Sequence, residues 1–314
     1  MEKLNLSKNE VLKKASEIIQ RKTTNKDILY VFSLYRSGDA MKLVAYAHHL
    51  KRFYPQDKIV FITEQQKSDM WKMFDVVDGV EALEKEEREI LELASQQHCL
   101  MYGENWIIGS YKNMLLSHFP GPEGVYGTDT AFTFPNACEA FKSMLLQIPY
   151  FYPAADVCAN YLDDYDDDLA DEYAKSILLV PTTYSIPSPE VDFWEYLAYR
   201  LQEKGFDVYT NAYGEEKEIE GTKRFSYGMK DTFNRSRYFY SVISARSGLS
   251  DFLAFQPEML HIVLSPEENM MNFHDISCYG KSERIKNINW NMEDPLPYPV
   301  LWEQIEKLLM ENSL

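Results

Sequence analysis

The sequence predicts a doubly wound α/β protein built in two similar halves, and three observations carry that expectation. Apolar runs of strand length alternate with amphipathic stretches of helix length along most of the chain. The alternation starts twice, once at "ILYVFS" from Ile28 and again at "ILLV" from Ile177. At 314 residues the chain is also too long for one ordinary small domain. Hydrophobic residues make up 45% and aromatics 14%, which is ample for real cores and unlike a disordered chain.

In the first half, "LSKNEVLKKASEIIQRK" reads as a helix capped by Ser7, with Val11, Ala15, Ile18 and Ile19 on one face. A strand at Ile28–Ser33, a loop and a helix opening near Asp39 follow, and "RFYPQDK" ends that helix before a strand at Ile59–Thr63. So short a crossover brings the chain back in the same direction, which makes a parallel βαβ unit. Beyond Glu64 the pattern loosens into "KSDMWKMF" and the charged helix "EALEKEEREILELASQQ". The stretch from Met101 to Pro135 reads as irregular, aromatic and rich in Gly and Pro; as a long loop it is a binding surface or an ordinary packed excursion.

The acidic run "YLDDYDDDLADEY" at 161–173 marks the break between halves. We read it as a solvated, helix-capping run, with the expected domains at 1–170 and 171–314. Strands at Ile177–Val180, Asp207–Thr210, Tyr240–Ala245 and Leu260–Leu264 then alternate with helices from Glu190, Met229 and Leu249. The closing "PVLWEQIEKLLMEN" is one more amphipathic helix, with packing back on the first domain left open.

Composition excludes several functions. The net charge of −17 argues against sequence-independent nucleic-acid binding, which needs a cationic surface. It argues equally against a polybasic membrane anchor, although a transient contact with a membrane surface stays open. The four cysteines contain no CxxC, and the six histidines form no HExxH, so neither a zinc site nor a disulfide framework is expected. "MEKLNLSKNEVLKK" has no apolar leader core and no run reaches membrane-spanning length, so a cytoplasmic location is expected. G-x-G-x-x-G after the first strands, G-x-x-x-x-G-K-[ST] and G-x-S-x-G are all absent, which removes support for dinucleotide dehydrogenases, P-loop ATPases and α/β-hydrolases.

One tripeptide recurs in a shared context. Arg36-Ser37-Gly38 follows the strand at Ile28–Ser33, with Asp39 next; Arg246-Ser247-Gly248 follows the strand ending at Ala245, with Asp251 close behind. Ligands of open α/β sheets bind where strand carboxyl ends meet the following helices. There glycine lets a ligand approach the backbone, while serine and arginine supply hydrogen bonds and charge to phosphate.

The two halves, "ILYVFSLYRSGDAMKLVAYAHHLKRFYPQDKIVFIT" and "ILLVPTTYSIPSPEVDFWEYLAYRLQEKGFDVYTNAYGEE", resemble the GT-B glycosyltransferases of bacterial surface-polysaccharide synthesis. The nearest type is the ADP-heptose:lipopolysaccharide heptosyltransferases of glycosyltransferase family 9. "ISARSGLSDFLAF…LHIVLSP" looks like the stretch in which such enzymes hold the donor diphosphate, and resembles the "RSGLCD" segment of capsule-cluster transferases. The "DSGPMHLA" usual in the family is absent.

The resemblance implies two Rossmann-like domains facing a cleft, with a nucleotide-diphosphate sugar as co-substrate and no other cofactor or metal. It matches Gly38-Asp39 to the family's Gly-Asp, whose carboxylate serves as base for the acceptor hydroxyl; the plainer reading of Asp39 is a helix cap. Ser247, Gly248, Leu249 and Ser250 would donate to the diphosphate, and Arg246 would neutralise the leaving group in place of a metal. Asp251 would hold a sugar or ribose hydroxyl, or cap its helix. Thr182, Thr183, Tyr184 and Ser185 are further donor-site candidates, and Asn211 would border the base; ordinary turn chemistry explains these as well. Arg36, Ser37, Gly38 and His118, with the aromatic stretch from Tyr102 to Tyr126, would face a glycan or glycolipid acceptor. The alternatives are a metal-dependent GT-A transferase using "DDYDDD", a sugar-nucleotide epimerase, and a non-catalytic GT-B-like protein that binds glycan or supports a partner.

Overall fold

A computed structural model describes residues 6–34, 55–65, 68–97, 101–102, 105–109, 165–183, 187–256, 259–266, 284–291 and 296–311, and the helical positions Val44, Ala47 and Lys51. The chain divides into two compact units, Met1–Val157 and Cys158–Leu314.

The first unit opens with α1 (Lys8–Lys22), and Ser7 caps it reciprocally: Ser7 N donates to Glu10 Oε2 at 2.8 Å, and Glu10 N donates to Ser7 Oγ at 3.4 Å. That bonding holds the Glu10 carboxyl below its ordinary range. The buried face of α1 is Val11, Ala15, Ile18 and Ile19, as the periodicity predicts. The strands β1 (Ile28–Ser33), β2 (Lys58–Glu64), β3 (Gly79–Leu83), β4 (Met101–Tyr102) and β5 (Trp106–Gly109) form one sheet in the order β3-β2-β1-β5-β4. Every pairing is parallel except β4 with β5. The short α2 (Ser68–Trp71) packs Trp71 on Phe61 at 5.3 Å, and α3 (Lys85–Gln97) joins α1 over the core of Tyr30, Phe32, Ile62 and Ile108. Two expectations need correction. β3 opens what reads in the sequence as the charged helix, and β4 and β5 open what reads as an irregular loop.

The second unit begins with α4 (Asp167–Tyr173), whose N-cap Asp166 accepts from Leu169 N at 3.1 Å. The acidic run therefore caps a helix, as the sequence predicts. Tyr173 anchors α4 by stacking on Phe239 at 4.5 Å. There follow β6 (Ser176–Val180), α5 (Val191–Glu203), β7 (Asp207–Asn211), β8 (Lys223–Phe225), α6 (Met229–Ser236), β9 (Ser241–Ala245), α7 (Gly248–Leu253), β10 (Leu260–Pro266), β11 (Ile285–Trp290) and α8 (Tyr298–Glu311). Six parallel strands lie in the order β11-β10-β9-β6-β7-β8.

One face of this sheet packs Ile243 and Ile262 against Trp194 and Leu197 of α5 and Trp302 and Ile305 of α8. Strands covered on both faces must be apolar at successive positions, which is why β6 and β9 read as short continuous runs. The closing helix α8, for which packing on the first domain was left open, buries Leu301, Trp302, Ile305 and Leu309 in the core of its own unit. The other face carries α6 and α7, joined by Phe233 and Phe252 at 4.8 Å between ring centres.

Candidate functional site

In the second sheet the chain reverses its direction of growth once; in the first it crosses from β3 to the far edge at β4 and steps back to β5, beside β1. In the second unit it runs from β6 to β7 to β8, then returns to lay β9 on the opposite side of β6. The loops leaving β6 and β9 thus depart in opposite directions and leave a crevice at their carboxyl ends, the usual ligand position in such sheets. Val180 lies opposite Ser244 and Leu179 opposite Thr210. That register brings Thr182 and Thr183, Arg246 through Asp251, and Asn211 to one edge of the sheet. These residues lie dozens of positions apart in sequence.

The first sheet changes sides at β1, which stands between β2 and β5 with Ser33 opposite Gly109. Arg36, Ser37, Gly38 and Asp39 follow just beyond Leu34, the last described residue of that stretch, and lie outside the described residues, as do His118, Tyr184 and Ser185. Both Arg-Ser-Gly segments therefore leave a strand that borders the point where its sheet changes sides. They leave different members of the pair, the first strand in one unit and the returning strand in the other.

Around β9 and α7 the side chains are bound to one another. Arg246 N donates to Leu264 O at 3.0 Å, which holds the first residue after the strand against β10. The Arg246 guanidinium is only 5% exposed and forms an ion pair with the equally buried Asp251 carboxylate. Ser247 N donates to Ser250 Oγ at 2.7 Å, Ser250 N donates to Ser247 Oγ at 3.2 Å, and Ser250 Oγ donates to Ser247 O at 2.7 Å. The Ser250 hydroxyl is thereby consumed in a capping box. Beside the Arg246 charge, backbone donors remain for a ligand: the N–H groups of Gly248 and Leu249 sit in the first turn, where no helical carbonyl can accept them.

Beneath this turn, Ser244 Oγ and His261 Nε2 stand 2.8 Å apart on neighbouring strands. His261 is fully buried, and burial first and the Arg246 charge second push its pKa down to about 3. The imidazole is therefore neutral in the folded protein. Since the unfolded chain takes up this proton near pH 6.5, the stability owed to His261 is intact above that pH and lost as pH falls towards 3. A His261→Asn variant should lack this share of the acid sensitivity. Between pH 7 and pH 5 wild type is expected to lose about 2 kcal/mol more than the variant, read by urea unfolding at each pH.

Thr182 and Thr183 are half-buried at the end of β6. Asn211 is almost completely buried, and its Oδ1 has no hydrogen-bond partner among the described residues. Among those residues no group of three His, Cys, Asp or Glu side chains is placed to hold a metal ion. Sequence reasoning missed the polar side chains Ser244, His261, Ser265, Asn287 and Asn289. Their signal was polar residues at alternate positions of strands that otherwise read as apolar or as loop.

No family model matches this chain, and no curated protein does. Solved structures do. The E. coli ADP-heptose lipopolysaccharide heptosyltransferase II superposes over 91% of this chain and 100% of its own, at 12% identity and a TM-score of 0.58. The fold is that of the heptosyltransferases, of GT-B type. E. coli heptosyltransferase WaaC, solved with ADP, matches over 89% of this chain and 99% of its own, at 9% identity and a TM-score of 0.57. A family 9 glycosyl transferase from Veillonella parvula matches over 91% and 98%, at 10% identity and a TM-score of 0.58. The expected resemblance therefore holds for the fold along nearly the whole chain, while so little of the sequence is shared that residue roles must be argued from this chain itself.

Proposed function

We propose that this protein is a glycosyltransferase that moves a sugar from a nucleotide-diphosphate sugar to a glycan or glycolipid acceptor in surface-polysaccharide synthesis. The supporting observation is the heptosyltransferase fold over nine-tenths of the chain, combined with a strand-end crevice that gathers Thr182, Thr183, Asn211 and Arg246–Asp251. Among the described residues no helix is long and apolar enough to cross a membrane. The enzyme of this reading is cytoplasmic and meets its acceptor at most at a membrane surface.

In this reading the second unit takes the donor. The N–H groups of Gly248 and Leu249 hydrogen-bond the diphosphate, Arg246 balances its charge without a metal, and Thr182, Thr183, Tyr184, Ser185 and Asn211 border the nucleotide. The first unit takes the acceptor through Arg36, Ser37, Gly38 and His118. The Asp39 carboxylate accepts the proton of the attacking hydroxyl as its oxygen bonds the anomeric carbon. The bond from that carbon to the diphosphate oxygen breaks, and the electron pair leaves with the diphosphate.

Thermal unfolding with ADP, UDP, GDP and CMP, each with and without EDTA, tests the donor site. One nucleoside diphosphate should raise the midpoint by an amount equivalent to about 2.7 kcal/mol at a hundred times its Kd, with EDTA making no difference. No rise with any nucleotide refutes the donor site. A rise that EDTA abolishes refutes metal independence, and binding without transfer to any acceptor identifies a non-catalytic member of the fold.

A further inference from the structure

On the sheet face of the second unit that carries α6 and α7, three uncharged polar side chains form a chain of hydrogen bonds across β10 and β11. Leu260, Ile262, Leu264, Ile288 and Trp290 belong to the opposite core, so the alternate residues Ser265, Asn287 and Asn289 point to this face. Ser265 lies opposite Asn289 in the parallel register. Ser265 Oγ donates to Asn287 Oδ1 at 2.7 Å, and Asn287 Nδ2 donates to Asn289 Oδ1 at 2.8 Å. Exposure rises along the chain: Ser265 is 2% exposed, Asn287 is half-buried and Asn289 is open to solvent.

An exposed asparagine on an edge strand is ordinary. Here it is bonded inward: on this face β10 carries His261, Val263 and the buried Ser265, and Ser265 ties the two asparagines of β11, residues that form strands poorly, into one chain. The bonds also run in one direction. Each link uses a donor from the inner residue and an acceptor of the outer one, so the chain ends in the two N–H groups of Asn289 Nδ2, which have no acceptor among the described residues.

The place of this chain gives it a use. Arg246 N is bonded to Leu264 O, so Arg246 stands beside Ser265. The polar strip begins on β10, beside the proposed diphosphate site, and runs one strand spacing, about 5 Å, to β11 at the sheet edge. We propose that Ser265, Asn287 and Asn289 seat the glycosyl half of the donor, with Asn289 donating to ring hydroxyls and the two inner residues fixing its orientation. The strip carries no charge, so it suits a neutral hydroxylated sugar rather than an acidic one. This assignment rests on the donor-site reading above.

Calorimetric titration of wild type, Asn289→Ala and the double variant Asn287→Ala/Asn289→Ala tests it, using ADP against ADP-glucose, UDP against UDP-glucose and GDP against GDP-mannose. Wild type should bind one nucleotide sugar about tenfold more tightly than its bare nucleotide, the effect of one or two hydrogen bonds. In the variants that preference should vanish while affinity for the bare nucleotide holds. A preference that survives in the double variant, or a wild type that binds a nucleotide with no preference for its sugar, overturns this assignment and leaves the donor site standing. A wild type that binds no nucleotide removes the donor site and this assignment with it.

Discussion

With Asp39 replaced by asparagine, sugar transfer is expected to fall by about 10²–10⁴-fold, the usual contribution of a positioned general base. Affinity for the nucleoside diphosphate and the unfolding midpoint should stay close to wild type. The choice of asparagine matters. As a helix cap, asparagine serves as well as aspartate, so the substitution spares the structural role while removing the proton acceptor. Asp39→Ala removes both and should add a loss of stability of about 1 kcal/mol. Measuring kcat, KM and thermal midpoint for both variants separates the roles. If the asparagine variant turns over at the wild-type rate, Asp39 is only a cap and the base lies elsewhere.

The central strands were legible because a parallel strand buried on both faces has to be apolar at successive positions. Leu29–Phe32 and Ile177–Val180 show this directly, with every residue buried. The strands that escaped notice lie at or near the sheet margins, where half-exposure dilutes the pattern. β8 is Lys-Arg-Phe with two exposed residues, β3 has only Leu83 fully buried, and β11 mixes lysine and asparagines with its isoleucines.

The site was legible as a set of residues but not as an arrangement. Nothing local in the sequence says that β9 returns to lie beside β6, and only that return brings Thr182 near Arg246. The pairing of Ser244 with His261 depends in the same way on the register of β9 against β10. Nor does the sequence reveal that Ser250 would turn its hydroxyl back on Ser247, since the usual reciprocal cap ends in Glu or Gln. The recurrence of Arg-Ser-Gly did point to something real in the second unit: a strand end at the reversal of the sheet, closed by a serine-capped turn.

Arg246 and Asp251 supply the second large expected effect. Asp251→Ala should destabilise the protein by about 3–5 kcal/mol, because it removes one member of a buried ion pair. For a unit of this size that corresponds to a midpoint lowered by roughly 10 °C. Replacing both partners, as in Arg246→Met/Asp251→Leu, should recover most of the loss, since an apolar pair of similar volume avoids the desolvation of two charges. The same double variant decides what Arg246 is for. A brace between β9 and α7 can be replaced by an apolar contact, but a counter-charge for diphosphate cannot. The double variant should therefore be nearly as stable as wild type and yet bind the nucleoside diphosphate at least about tenfold more weakly, the scale of one lost charged hydrogen bond. Stability restored with unchanged nucleotide affinity would reduce Arg246 to the brace alone, and leave the backbone of Gly248 and Leu249 to hold the diphosphate.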